Sequence, residues 1–210
     1  MIVVNDVVKR YGEAMVLDHV SVTFADRQIH GLIGRNGSGK TLLMKTILGL
    51  IRATSGTVEV DGKTIRRDVE VPDRVGAIIE TPGFLPYDSG RKNLLLLASL
   101  RKRVGRAQVD EAMRKVGLDP KSRKWVSKYS MGMKQRLGIA QAIMEDPDLL
   151  ILDEPMNGLD NQGVSDMRSL FLELKARGKT ILLASHNRED IETLCDQVYE
   201  MDAGVLTRVR

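Results

Sequence analysis

Gly34-Arg35-Asn36-Gly37-Ser38-Gly39-Lys40-Thr41 fits the pattern G-x-x-x-x-G-K-[ST]. A short apolar run, Gln28 to Ile33, precedes it, and Thr41 to Leu50 follows with apolar residues at helical spacing. A strand–loop–helix of this kind wraps successive backbone N–H groups around a phosphate chain and aims a helix N-terminus at it. Gly34, Asn36, Gly37, Ser38 and Gly39 form the wrapping segment. Lys40 is placed to reach β- and γ-phosphates, and the Thr41 hydroxyl to ligate Mg²⁺. The loop points to a nucleotide without selecting a reaction.

A second run, Leu149-Leu150-Ile151-Leu152-Asp153-Glu154, ends an apolar strand in two acids. At the carboxyl edge of a parallel sheet these face the ligand crevice. Asp153 suits Mg²⁺ held through water, and Glu154 suits the role of general base toward an attacking water. Two acids at a strand end are also common as a solvated pair, so the phosphate loop is what gives them weight.

The elements that must position these residues alternate between β-like and helical patterns, which predicts an α/β fold. Ile2 to Val8, Met15 to Phe24, Gln28 to Ile33 and Val75 to Ile79 read as strands. Thr57 to Val60 and Lys63 to Ile65 form a hairpin through Asp61-Gly62, whose glycine suits a tight turn. Leu149 to Leu152 and Thr180 to Ala184 are continuous apolar runs, as expected of strands covered on both faces. From about Asp88 to Arg136 the pattern is helical and charged.

Taken in order, the motifs resemble those of ABC transporter ATP-binding subunits: Tyr11, the loop Gly34 to Thr41, Glu80, Ser130-Met131-Gly132-Met133-Lys134-Gln135-Arg136, Asp153-Glu154, Asn157-Gly158-Leu159-Asp160 and Ser185-His186. The resemblance implies a P-loop NTPase (RecA-like) core with a mainly parallel sheet and an N-terminal antiparallel β subdomain. A helical insertion is expected over approximately 88–136, within one domain spanning 1–210. It further implies ATP and Mg²⁺ as cofactors, a homodimer or heterodimer of ATP-binding subunits, and integral-membrane transporter subunits as partners. The expected location is cytoplasmic, at the inner face of the membrane through those partners.

Site roles carried over by the resemblance are these. Tyr11 stacks on adenine, with Val16 beside it; the alternatives are a strand-end tyrosine packing on the core and a buried strand valine. Ser130 and Gly132 offer a hydroxyl and a backbone N–H to the γ-phosphate held by the other subunit. Glu154, His186 and Lys40 form the catalytic set, although His186 can equally cap a loop. Thr41, Glu80 and Asp153 face the metal. Asp160 links the two nucleotide sites, or belongs to an ordinary loop marked by Pro155 and Gly158. His19 and His30 read as structural, and Cys195, on an apparent helix from Glu189 to Asp196, as a small buried thiol.

Two positions depart from the family's usual pattern. The signature reads Tyr129-Ser130-Met131-Gly132-Met133 in place of Leu-Ser-Gly-Gly-Gln, and Glu80 stands where glutamine is usual. The signature form resembles that of bacitracin-resistance and lantibiotic-immunity exporters. Glu80 resembles the lantibiotic self-protection subgroup, the alternative being a one-off substitution without consequence. An exporter of a drug, lipid or other peptide is the nearest alternative. A non-hydrolysing sensor is disfavoured by the presence of both Glu154 and His186. Soluble relatives acting on ribosomes or DNA usually carry two such domains or a coiled-coil insertion, and no nucleic acid is expected.

Composition fits a globular chain of 210 residues: 42% hydrophobic, 29% charged, with a single cysteine that excludes an internal disulfide framework. No apolar run approaches the roughly 20 residues of a membrane span, and the first residues lack the layout of a signal peptide. The net charge of +4 is unevenly distributed. Between Asp88 and Lys134, 13 Lys+Arg stand against 4 Asp+Glu, so a cationic insertion sits on an acidic remainder. Its clusters are Arg101-Lys102-Arg103 with Arg106, and Lys121 with Arg123-Lys124. They suit an approach to an anionic leaflet, or simply a solvated face.

Overall fold

The computed structural model describes residues 1–210. Strands β1 (Ile2–Tyr11) and β2 (Ala14–Phe24) form an antiparallel pair, and β3 (Ile29–Ile33) leads through the glycine-rich loop into helix α1 (Lys40–Ile47). Next come β4 (Ser55–Val60), β5 (Lys63–Thr64) and β6 (Val75–Ile78). Three helices follow, α2 (Gly90–Arg101), α3 (Arg106–Lys115) and α4 (Met131–Ile143). The chain then alternates through β7 (Leu149–Asp153), α5 (Asn161–Ala176), β8 (Thr180–Ala184) and α6 (Arg188–Leu194). It closes with β9 (Gln197–Asp202) and β10 (Val205–Arg208).

The strands form two sheets. One is antiparallel, in the order β2-β1-β4-β5; the other runs β10-β9-β3-β8-β7-β6 and is parallel except for β10. The continuous apolar runs have a direct explanation in the side-chain alternation of a strand. Leu150 and Leu152 of β7, with Ile181 and Leu183 of β8, face a core of 30 buried residues shared with α2 to α5. Leu149, Ile151, Leu182 and Ala184 face the opposite core of 20 residues, where Leu43, Met44 and Ile47 of α1 meet Val4, Leu17 and Phe24 of the antiparallel sheet. Burying each such leucine or isoleucine is worth about 2 kcal/mol. The run therefore stays apolar on both faces until Asp153, where the strand reaches the sheet edge.

The segment after Asp88 is tied to the rest by charge as well as by packing. Arg91 on α2 donates to Asp110 on α3 at 2.6 Å, which holds the Asp110 carboxyl below its ordinary range. Arg101 reaches Glu145 at 3.1 Å, and Arg103 reaches Asp73 at 2.6 Å. Two members of the first basic cluster are thus neutralised internally. Lys121, Arg123 and Lys124 are exposed and keep their charge for the surface. No helix is long and apolar enough to cross a membrane.

The predicted strands are present with ends shifted by a few residues, and β8 matches its predicted bounds. The helix expected at Glu189–Asp196 ends at Leu194, and Cys195 caps it with extended backbone. Its thiol is buried, and desolvation pushes its pKa up to about 12. The β9–β10 hairpin was not anticipated from the sequence, and it proves important for the loop.

Candidate functional site

Because β3, β8, β7 and β6 run parallel, their carboxyl ends lie along one edge. That edge delivers the loop Gly34–Gly39 after β3, Ser185-His186 after β8, Asp153-Glu154 after β7 and Glu80 after β6. The positive end of α1 points into the same place, with Gly39 as its N-cap. Lys40 is buried, and its ammonium donates to the carbonyls of Gly34 at 2.7 Å and Arg35 at 3.0 Å. The Thr41 hydroxyl donates to Asp153 Oδ2 at 2.6 Å, joining helix and strand end. Two carboxylates and a hydroxyl, Asp153, Glu80 and Thr41, are hard oxygen donors of the kind Mg²⁺ takes alongside phosphate and water.

The loop is braced from the unanticipated hairpin. Gly34 has φ 139°, and a Cβ there would lie 2.2 Å from the Met201 carbonyl oxygen of β9. Gly204, in the β9–β10 turn, donates its N–H to the Ser38 carbonyl at 3.0 Å and accepts from Asp18 N at 2.9 Å. Ser38 Oγ is buried in the loop without a protein partner. A buried, unpartnered hydroxyl in a glycine-rich loop at a helix N-terminus fits an anionic ligand.

The acid–histidine pair is the second constellation. His186 Nδ1 lies 2.8 Å from Glu154 Oε2, so a protonated Nδ1 donates to the carboxylate. Glu154 holds a left-handed backbone, φ 51°, which costs a non-glycine residue about 1–2 kcal/mol. Three bonds fix it there: its N–H donates to Ala184 O at 2.9 Å, and its carbonyl accepts from Asn157 N and Gln135 Nε2, each at 3.2 Å. The strained backbone is thus held in place by its surroundings.

Behind His186 lies a network that sequence reading missed. Arg168 on α5 donates through Nε (2.8 Å) and Nη2 (2.5 Å) to Asp190 Oδ1, and Ser185 Oγ donates to Asp190 Oδ2 at 3.1 Å. Ser185 Oγ in turn accepts from Asn187 N, fixing the loop that carries His186. The Asp190 side chain is only 3% exposed and that of Arg168 15%. Removing one partner of a buried pair leaves the other uncompensated. Asp190→Ala is therefore expected to destabilise the chain by about 3 kcal/mol in denaturant unfolding. An unchanged midpoint would remove this network from the stability of the site.

Lys40, Thr41, Glu80, Asp153, Glu154 and Gln135 border a single cleft of about 540 Å³. Asn36 lines it too, whereas other predicted residues, His186 among them, lie outside it. Ser130 is the N-cap of α4, where its Oγ accepts from Met133 N at 3.1 Å, and Gly132 packs so closely on Gly158 that a Cβ would lie 2.8 Å from its carbonyl oxygen. Asp160 caps α5 by accepting from Gly163 N at 2.8 Å and is exposed. Tyr11 is 54% exposed at the β1–β2 turn, with the Lys9 ammonium 4.7 Å from its ring centroid. Val16 is half-buried, and its carbonyl lies against Gly39 at the start of α1. Glu80 carries a partner not anticipated from the sequence: Lys45 Nζ lies 2.5 Å from its Oε1.

Comparison with known proteins identifies the family and the fold. The family model described as ABC transporter matches residues 17–157. The chain is 43% identical to the ABC transporter ATP-binding protein YybJ of Bacillus subtilis, over 98% of this chain and 94% of that protein. It is 45% identical to the bacitracin transport ATP-binding protein BcrA of Enterococcus faecalis, over 96% of this chain but only 66% of that longer protein. With the lantibiotic transport ATP-binding protein SrtF of Streptococcus pyogenes it shares 36% identity, over 93% of this chain and 84% of that one. Among solved structures, the ATP-binding cassette MJ0796, a dimer in a post-hydrolysis state bound to ADP and Pi, has the same fold. Its TM-score is 0.88 at 20% identity, covering 100% of this chain and 99% of that one.

Proposed function

The chain belongs to the ABC transporter family as an ATP-binding, ATP-hydrolysing subunit, and on that premise we propose that it powers export of a peptide antibiotic, of bacitracin or lantibiotic type, through separate membrane subunits. The observation that carries the reading is one sheet edge bearing both the Thr41–Asp153 and Glu154–His186 contacts beside the phosphate loop. The similarity to BcrA and SrtF supports the cargo class. Residues 1–210 act as one ABC-type domain, and the helices within 88–136 turn toward the membrane subunits.

Two subunits enclose two ATP molecules. Each site takes Lys40, Thr41 and the loop from one subunit, and Ser130 and Gly132 at the positive end of α4 from the other. Tyr11 stacks on adenine and Val16 flanks it, while Asp160 lies at the subunit junction. Thr41, Asp153 and Glu80 are the residues that would hold Mg²⁺, which would supply positive charge against the phosphate oxygens. Glu154 takes the proton of the attacking water, whose oxygen bonds to the γ-phosphorus as the bond to ADP breaks. His186 keeps the carboxylate aimed and contacts the transferred phosphate. Loss of the γ-phosphate removes the group that joins the halves, so the dimer loosens and the membrane subunits follow.

The test is protection of a sensitive host. Expressed with its membrane subunits, the chain is expected to raise the inhibitory concentration of bacitracin or of a lantibiotic, and Glu154→Gln to abolish that protection. Protection against neither peptide class, from a chain that hydrolyses ATP, would overturn the cargo assignment and leave the ATPase intact.

A further inference from the structure

Glu80 follows β6 with a left-handed backbone, φ 60°, and stands at the rim of the cleft that holds Asp153 and Glu154. A third carboxylate here is awkward, because the site accepts the polyanion ATP. The structure supplies a counter-charge from α1. Lys45 lies four residues after Thr41, on the same face of the helix. Its ammonium is 2.5 Å from Glu80 Oε1. The Lys45 side chain is only 25% exposed, so its stem is packed, whereas that of Glu80 is 64% exposed and free to turn. Lys45 makes no other ion pair.

We propose that Lys45 competes with the divalent cation for the Glu80 carboxylate, so that the strength of cation binding is set by a residue that never touches the cation. The proposal rests on the nucleotide-site reading above. In the Lys45-bound orientation Glu80 is neutralised and withheld from the cation. Released, it is a hard oxygen donor beside Thr41 and Asp153, the pair already joined at 2.6 Å. Lys45 is thus a positioning residue: it acts only through Glu80.

A double-mutant cycle separates this from bulk electrostatics. Removing a positive charge near a cation site tightens cation binding whatever residue stands at position 80. Releasing Glu80 tightens it only when that residue is glutamate. Mn²⁺ binding to the full chain, saturated with a non-hydrolysable ATP analogue, is read by electron paramagnetic resonance of free Mn²⁺. Lys45→Met is expected to lower the half-saturating Mn²⁺ about three- to fivefold more in the native background than in Glu80→Gln. Lys45→Arg, which keeps the ion pair, is expected to behave as the unsubstituted chain. Equal effects of Lys45→Met in both backgrounds would overturn the proposal, as would tightening by Lys45→Arg. Failure of the unsubstituted chain to bind the ATP analogue would overturn the nucleotide-site reading, and this inference with it.

Discussion

Glu154→Gln is expected to slow ATP turnover by about 10²–10⁴-fold while leaving ATP affinity within about twofold. The substitution keeps the size and planarity of the side chain, and an amide oxygen can still accept from His186 Nδ1, now 2.8 Å from Oε2. The backbone requirement at φ 51° is the same for both residues, and the bonds that hold it come from main-chain atoms of Glu154. What is lost is the capacity to take a proton. Phosphate release measured against equilibrium ATP binding separates these effects. Undiminished turnover would remove Glu154 from the chemistry.

Lys40→Ala is expected to act at the earlier step, weakening ATP binding by about ten- to a hundredfold, the value of one or two hydrogen bonds to a charged group. The Lys40 ammonium has two functions in this loop. It offers positive charge where phosphates sit, and it ties the start of the loop to its end through the carbonyls of Gly34 and Arg35. An alanine removes both. Lys40→Arg is not expected to restore affinity, because a planar guanidinium does not fit a point-charge position buried among loop carbonyls. Unchanged ATP affinity in Lys40→Ala would sink the phosphate-loop assignment.

Local patterns carried much of the fold. The glycine-rich loop, the Asp-Gly hairpin and the two continuous apolar runs each have a short-range cause, and each formed the expected element. The runs at β7 and β8 are uninterrupted because opposite cores claim alternate residues. By contrast, β9 and β10 left little signal. Their pattern is a short mix of apolar and charged residues around Ala203-Gly204, and the bracing of Ser38 by Gly204 joins segments more than 160 residues apart.

At the site the same division holds. Residue types named Glu154, His186, Thr41 and Asp153, but no spacing could say that they pair as they do. Lys45 carries no signal of its own in the sequence; its meaning depends on Glu80, 35 residues away. Arg168 and Asp190 were similarly silent, as two charged residues on separate helices whose burial appears only once α5 and α6 pack. Ser130 and Gly132 do not line the cleft of their own chain, although Met131 between them does; in the proposed function they complete the site of a second subunit.

That completion is the central claim, and the particle mass of the Glu154→Gln chain tests it most directly. Light scattering is expected to find two chains per particle with saturating ATP and Mg²⁺, and one chain with ADP. Replacing Ser130 by a bulky residue is expected to return the ATP-bound particle to one chain without loss of ATP binding. A single chain per particle in ATP, at concentrations where every phosphate loop is filled, would contradict the account.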